Sequence, residues 1–239
     1  MTKKMINQNS KFQKELIDTV ESEFIFVNKP INRFKSTENQ KINQTLSKKD
    51  RIDNLKNKIN SIEDCALKKN AKSLILGDGN FNSPIMLIGE APGIEEDKSG
   101  LSFKGEVGDL LDKMLGAINI KRQDIYLSYA INFRPPEDRK PTSQEIKRYS
   151  TYLKKHISII DPKIIILMGS TAMEAVTSIT NKISAERGEW KETIIENKTY
   201  PLIITFNPSY LIRFPENKKY SWEDLKKLRQ KIIDLKLKI

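Results

Sequence analysis

Four short stretches of the chain combine backbone-shaping glycine or proline with side chains that can act on a ligand. They are Gly89-Glu90-Ala91-Pro92-Gly93, Gly100-Leu101-Ser102-Phe103-Lys104-Gly105, Phe133-Arg134-Pro135-Pro136 and Asn207-Pro208-Ser209-Tyr210-Leu211-Ile212-Arg213. Together they offer a carboxylate, flat aromatic faces, an amide and two guanidinium groups: the means to hydrogen-bond, stack and contact anions. Each stretch alone also fits a plainer role. Gly-Glu-x-Pro-Gly makes an ordinary strand-to-loop turn, and Phe103 between glycines suits a core position under a loop.

The lone residues narrow the chemistry further. The chain has one cysteine, Cys65, and one histidine, His156. One thiol cannot form an internal disulfide, a four-thiolate zinc site or a four-cysteine iron–sulfur cluster. One imidazole excludes any two-histidine metal motif. Neither a P-loop nor a dinucleotide fingerprint is present. The formal net charge is +11 over 239 residues. That excess suits a polyanionic partner such as nucleic acid, and equally a solvated surface in a Lys-, Asn- and Ile-rich chain. Apolar runs such as Ile164–Met168 are too short to span a bilayer, and Lys3 and Lys4 lead into polar residues rather than a signal sequence. A cytoplasmic protein with no membrane segment is expected.

The elements that position these stretches can be read from periodicity. Residues 1–60 are polar and rich in Lys and Asn, and read as an N-terminal extension with helical stretches near 11–22 and 48–60. From residue 61 to 239 strand and helix signals alternate. Strands are expected at Ser73–Leu76, Ile85–Ile88, Ile125–Phe133, Lys163–Met168 and Leu202–Phe206. Leu110, Leu111, Met114, Leu115 and Ile118 recur at helical spacing, and Thr142 with Glu145 forms a capping box for the next helix. Ser221 and Asp224 could cap a last helix with Trp222, Leu225, Leu228, Ile232 and Leu235 on its inner face. The pattern predicts a three-layer α/β/α fold around a mostly parallel sheet of about four core strands. A ligand site then lies beyond the carboxyl ends of the strands, where the four stretches fall or lie close by.

In order and spacing, the four stretches resemble the uracil-DNA glycosylase superfamily, most of all its type 4 branch, over roughly residues 59–236. The resemblance implies hydrolysis of a base–sugar bond after the nucleotide is flipped into a pocket. Glu90 matches the acidic residue that positions water, and Asn207 falls where a histidine stabilises the leaving base. Gly89, Pro92, Gly93, Phe103 and Tyr129 match the base pocket, with Phe103 as the stacking face. Arg134, Ser209, Tyr210, Leu211 and Arg213 match the DNA-contacting loops, of which Tyr210, Leu211 and Arg213 would form a wedge at the vacated base. The implied partner is double- or single-stranded DNA with a damaged base, engaged by a monomer.

The departures from that pattern carry as much information. The four cluster cysteines of type 4 enzymes fall at Ile62, Cys65, Phe133 and Tyr149. No iron–sulfur cofactor is therefore expected, and these side chains should pack as a small satellite core. The base-reading asparagine falls at Tyr129, which cannot present an amide's paired donor and acceptor and could partly fill the pocket. His156 sits on a flanking helix with no route to the site, and is expected at the surface or in helix packing. Two readings follow: a glycosylase with diverged base specificity and reduced activity, or a catalytically inactive descendant that binds DNA or a repair partner.

Overall fold

Ile85–Gly89 and Ile164–Met168 are buried at every position, as strands covered on both faces must be. They form neighbouring central strands β2 and β4 in the computed structural model, which describes residues 46–63 and 65–238. The helix expected over 11–22 lies outside the described residues. β2 pairs in parallel with β3 (Tyr126–Tyr129) and β4, and β4 pairs in parallel with β6 (Lys198–Thr205). Two antiparallel edges complete a six-stranded sheet: β1 (Gly77–Gly79) on β3, and β5 (Trp190–Ile195) on β6. The four parallel core strands agree with the expectation, and the two edge strands add to it.

Both additions have a physical reason. Ser73–Leu76, expected as a strand, forms no regular strand: the Ile75 N–H donates to the Asn132 carbonyl at 2.9 Å, and the ladder to β3 begins at Gly77. A side chain at Gly77 or Gly79 would collide with the Leu127 or Ile125 carbonyl, so the glycines admit the close approach to β3. Read from sequence they looked like a turn. β5 is a half-buried, charged edge whose hairpin to β6 turns through Glu196 and Asn197, both at positive φ.

The two-residue alternation of each strand divides its side chains between two layers. Ile85, Leu87, Ile164 and Ile166 meet Leu111 and Leu115, and Leu225 and Leu228, in one cluster. The first two come from α4 (Gly105–Gly116) and the others from α9 (Lys218–Asp234). Met86, Ile88, Ile165 and Leu167 face the other cluster. There they meet α5 (Ser143–Ile160), α6 (Ser170–Thr177) and α1 (Lys48–Asn60). The compact unit starts at Leu46. Helix α1, grouped above with the extension, thus packs inside it through Ile52, Leu55 and Ile59. The short helices are α2 (Ala66–Asn70), α3 (Ile94–Ser99), α7 (Ile183–Glu186) and α8 (Pro208–Arg213).

The expectations for the last helix need correction. Helix α9 begins at Lys218, so Ser221 and Asp224 lie within it rather than at its cap. Asp224 is buried and accepts hydrogen bonds from Thr205 and Arg187, while Trp222 and Leu235 are exposed. His156, expected at the surface or in helix packing, takes the second of these places and is buried. Its Nε2 lies 2.9 Å from the Tyr126 hydroxyl, its Nδ1 faces Ser128, and burial pushes its pKa down to about 3. Among the described residues, no helix is long and apolar enough to cross a membrane.

Candidate active site

The carboxyl ends of β2, β3 and β6 converge on a cavity of about 300 Å³ lined by Glu90, Phe103, Tyr129, Asn207 and Arg213 among others. Sequence places these residues over more than a hundred positions. The parallel sheet brings them together.

Glu90 follows β2 directly. One of its carboxylate oxygens accepts a 2.7 Å hydrogen bond from the Thr171 hydroxyl at the start of α6. Opposite, Asn207 caps α8: its Oδ1 accepts from the Ser209 N–H at 3.1 Å. That bond fixes the amide's orientation and leaves its NH₂ as the donor group of this side chain.

The aromatic wall is less open than the sequence suggested. Phe103 is 2% exposed and sits at a φ of 49°, an uncommon conformation for a bulky residue. Its ring stacks on Tyr129 with centroids 4.7 Å apart, so the tyrosine covers one face of the ring expected to hold a base. The Phe103 N–H donates to the Tyr129 oxygen at 2.7 Å, and the tyrosine hydroxyl points to Glu96 at 3.4 Å. Burial, and then the Glu96 carboxylate, raises the Tyr129 pKa well above the ordinary value. Gly89 makes the stack possible, since a Cβ there would lie 2.6 Å from the Phe103 ring and 3.0 Å from Tyr129.

Glu96 is the main residue that sequence reasoning missed. It is buried, and its two oxygens accept the N–H groups of Gly93 and Lys104, each at 2.9 Å. One carboxylate thereby ties the Gly-Glu-x-Pro-Gly turn, the Phe103 loop and Tyr129 together. The available signal was the Gly93-to-Glu96 spacing, a helix-start arrangement with the acid at the third position. Pro92 is buried beside it. Thr171, Asp138 and Arg139 were also missed; the last two line the cavity mouth.

The proposed DNA contacts divide. Arg213 is exposed and Tyr210 is half-buried between Phe206 and Phe214, whose rings lie 4.9 and 4.8 Å from it. Leu211, expected in the wedge, is 1% exposed and packs in the core. Helical spacing explains this: Pro208 and Leu211, three apart in α8, share its inward face. The exposed side chains of this turn are Arg213 and Phe214. Arg134 is not a bare cation either, since Asp138 holds it through bonds of 2.7 and 3.0 Å.

The uracil DNA glycosylase superfamily profile matches residues 76–229. The chain is 35% identical over 168 residues to a type-4 uracil-DNA glycosylase of Thermotoga maritima, covering 69% of this chain and 86% of that protein. It is 33% identical over 190 residues to one of Sulfurisphaera tokodaii, covering 76% and 84%. It is 30% identical over 181 residues to one of Archaeoglobus fulgidus, covering 74% and 91%. The chain belongs to the uracil-DNA glycosylase superfamily. These three relatives carry the type-4 name.

The corner to which the type 4 resemblance assigns cluster cysteines does not fit such a group. Cys65 is buried with its sulfur 3.2 Å from the Tyr149 hydroxyl, and Phe133 meets Tyr149 edge-on at 6.3 Å. Ile62 packs against the same cluster, which is the main core of that layer and not a separate satellite. One thiol already engaged by a tyrosine, surrounded by rings and aliphatic carbons, cannot supply four thiolates. Among the described residues, no group of three or more His, Cys, Asp or Glu side chains is placed to hold a metal ion.

Proposed function

We propose that this protein is a DNA glycosylase that hydrolyses the N-glycosidic bond of a flipped-out base, with recognition diverged from uracil, and that it folds without an iron–sulfur cluster. The observation that carries the reading is the pairing of Glu90 and Asn207 on one cavity at the strand ends. With one oxygen held by Thr171, the Glu90 carboxylate directs its other oxygen to an attacking water and sets a negative charge beside the sugar as positive charge builds there. The Asn207 NH₂ donates to the departing base as it becomes an anion. Arg213 lies at the same mouth to meet phosphate.

Base selection is where this protein parts from a uracil reader. Tyr129 uses its hydroxyl on Phe103 and Glu96, so it offers the base a ring edge and no hydrogen-bonding pair. A pocket that loses its polar reading of a base loses discrimination by orders of magnitude, on the order of 10⁴ in strong cases. Low activity on uracil and tolerance of other bases follow.

A second reading is favoured by one observation, the Tyr129 ring stacked on Phe103. With that face covered, the protein would bind DNA without cutting it. Single-turnover excision separates the two, using oligonucleotides that carry uracil, hypoxanthine, xanthine or mismatched thymine. Product from at least one substrate, reduced about 100-fold or more by Glu90→Gln, supports the enzyme. No product from any of them, together with tight and salt-sensitive duplex binding, supports the binder.

A further inference from the structure

Ser102, the residue before Phe103, is gripped at both ends by opposite charges. Its N–H donates to the Asp78 carboxylate at 2.6 Å, and its carbonyl accepts from the Arg122 guanidinium. Asp78 belongs to the edge strand β1, and Arg122 opens a short helical turn, Arg122–Asp124, ahead of β3. Arg122 is itself steadied by the exposed Asp112 at 3.2 Å. Hydrogen bonds with one partner ionised are roughly twice as strong as neutral ones. Neither Asp78 nor Arg122 lines the reaction cavity, and neither enters the chemistry above.

The loop needs such a grip. Phe103 sits at a φ of 49°, and the buried Ser102 hydroxyl has no hydrogen-bond partner among the described residues. A bulky residue in the left-handed region and an orphaned hydroxyl both cost free energy, so a free loop would leave this conformation. It is held from outside instead. Beyond the two bonds to Ser102, the Phe103 N–H donates to Tyr129 and the Lys104 N–H to Glu96. Four hydrogen bonds from four separate elements thus fix three consecutive residues. The Phe103 carbonyl is pressed against α4 at Gly108, where a Cβ would lie 2.0 Å from its oxygen.

We infer that Asp78 and Arg122 are positioning residues for base removal: they hold Ser102 so that Phe103 keeps its strained backbone and sets its ring at the pocket wall. The inference rests on the glycosylase reading of that pocket. The directions open to a ring follow from its backbone, and a misplacement of about 1 Å at a reacting centre can cost on the order of 100-fold in rate, even from a distant substitution. Tyr129 and Glu96 also touch the loop, but both line the cavity, so their loss would change the pocket directly. Asp78 and Arg122 reach Phe103 through the backbone. A merely structural clamp would lower stability and leave the rate per folded molecule intact.

The test pairs two measurements on the full-length protein. Single-turnover excision, on whichever of the oligonucleotides above the wild type cleaves best, gives a maximal rate and a half-saturating protein concentration. Hydrogen exchange gives the opening of the Phe103 and Lys104 amides, whose own partners no variant touches. Asp78→Ala and Arg122→Ala, both at half-buried positions, are each expected to lower the maximal rate about 30-fold per folded molecule, with half-saturation within about threefold. Exchange at the two amides should quicken about 10-fold or more, while amides of β2 and β4 keep the wild-type rate. Asp78→Asn keeps an oxygen for the Ser102 N–H and should recover most of both losses. Faster exchange with an unchanged rate leaves only a structural clamp and overturns the inference. So does a lowered rate with both amides still protected. If the wild type excises none of the bases, the glycosylase reading falls and this role with it. Excision by the wild type that both alanine variants retain in full sinks this role alone.

Discussion

Tyr129 and Tyr149 are both buried tyrosines standing where the family resemblance implies a different side chain, and they do opposite things. Tyr149 closes a corner. Its hydroxyl meets the Cys65 sulfur, its ring meets Phe133, and the apolar neighbours complete a packed core. Tyr129 intrudes on a working cavity, where it stacks on Phe103 and takes its hydrogen bonds from the loops that shape the pocket. Loss of a structural group is compensated by packing, because any side chains of suitable volume can fill a void. Loss of a recognition group is not, because a ring cannot present the donor and acceptor pattern of an amide.

This contrast is tested first at its strongest point. Tyr149→Ala removes a fully buried ring and should cost about 3–5 kcal/mol in urea unfolding, while the single-turnover constant per folded molecule stays within about twofold. Collapse of excision at equal folded fraction would mean that the closed corner shapes the pocket. The next effect belongs to the open corner. Tyr129→Asn removes the stacked ring and returns an amide, and uracil excision should rise about 100-fold against the wild type. A variant that folds, binds DNA and still releases no uracil would show that Tyr129 is not what limits this base. Tyr149→Phe is milder: losing the bond to Cys65 should lower stability by about 1 kcal/mol, with no change in excision.

Much of this contrast was legible before any coordinates. Strands buried on both faces announce themselves as continuous apolar runs, so the parallel core and the edge that carries the candidate site could be placed from Ile85–Ile88 and Lys163–Met168. Glu90, Phe103, Tyr129 and Asn207 do line one cavity. What escaped was set by tertiary approach. Gly77 and Gly79 read as a turn because glycine marks both turns and close backbone contacts. Glu96 does not stand out in the sequence, and its buried bonds to Gly93 and Lys104 separate it from Glu95. Leu211 looked like a wedge until the turn of α8 put it inward. The cover over Phe103 could be suspected from a tyrosine at 129, but its stacking geometry depends on Gly89 leaving room.

The smallest expected effect comes from the pair that spans the two corners. Arg139 lines the mouth of the reaction cavity, and Glu145 borders a cavity of about 290 Å³ beside Cys65 and Tyr149. Their side chains meet through bonds of 2.9 and 2.7 Å. The Arg139 guanidinium, aided by Thr142, holds the Glu145 carboxyl down to about 2. Its folded value lies below the unfolded one, so its stabilisation is fully present above about pH 4.5 and fades as pH falls towards 2. Arg139 is well exposed, which keeps the gain small through solvent screening. Glu145→Gln should therefore lower the urea midpoint slightly at pH 7, and the difference from wild type should shrink at pH 3. Its excision constant at pH 7 should change less than about threefold, since the proposed chemistry rests on Glu90 and the pocket walls stay in place. A larger loss of excision than of stability would mean that the ion pair transmits between the corners, and that closing one of them helped to close the other.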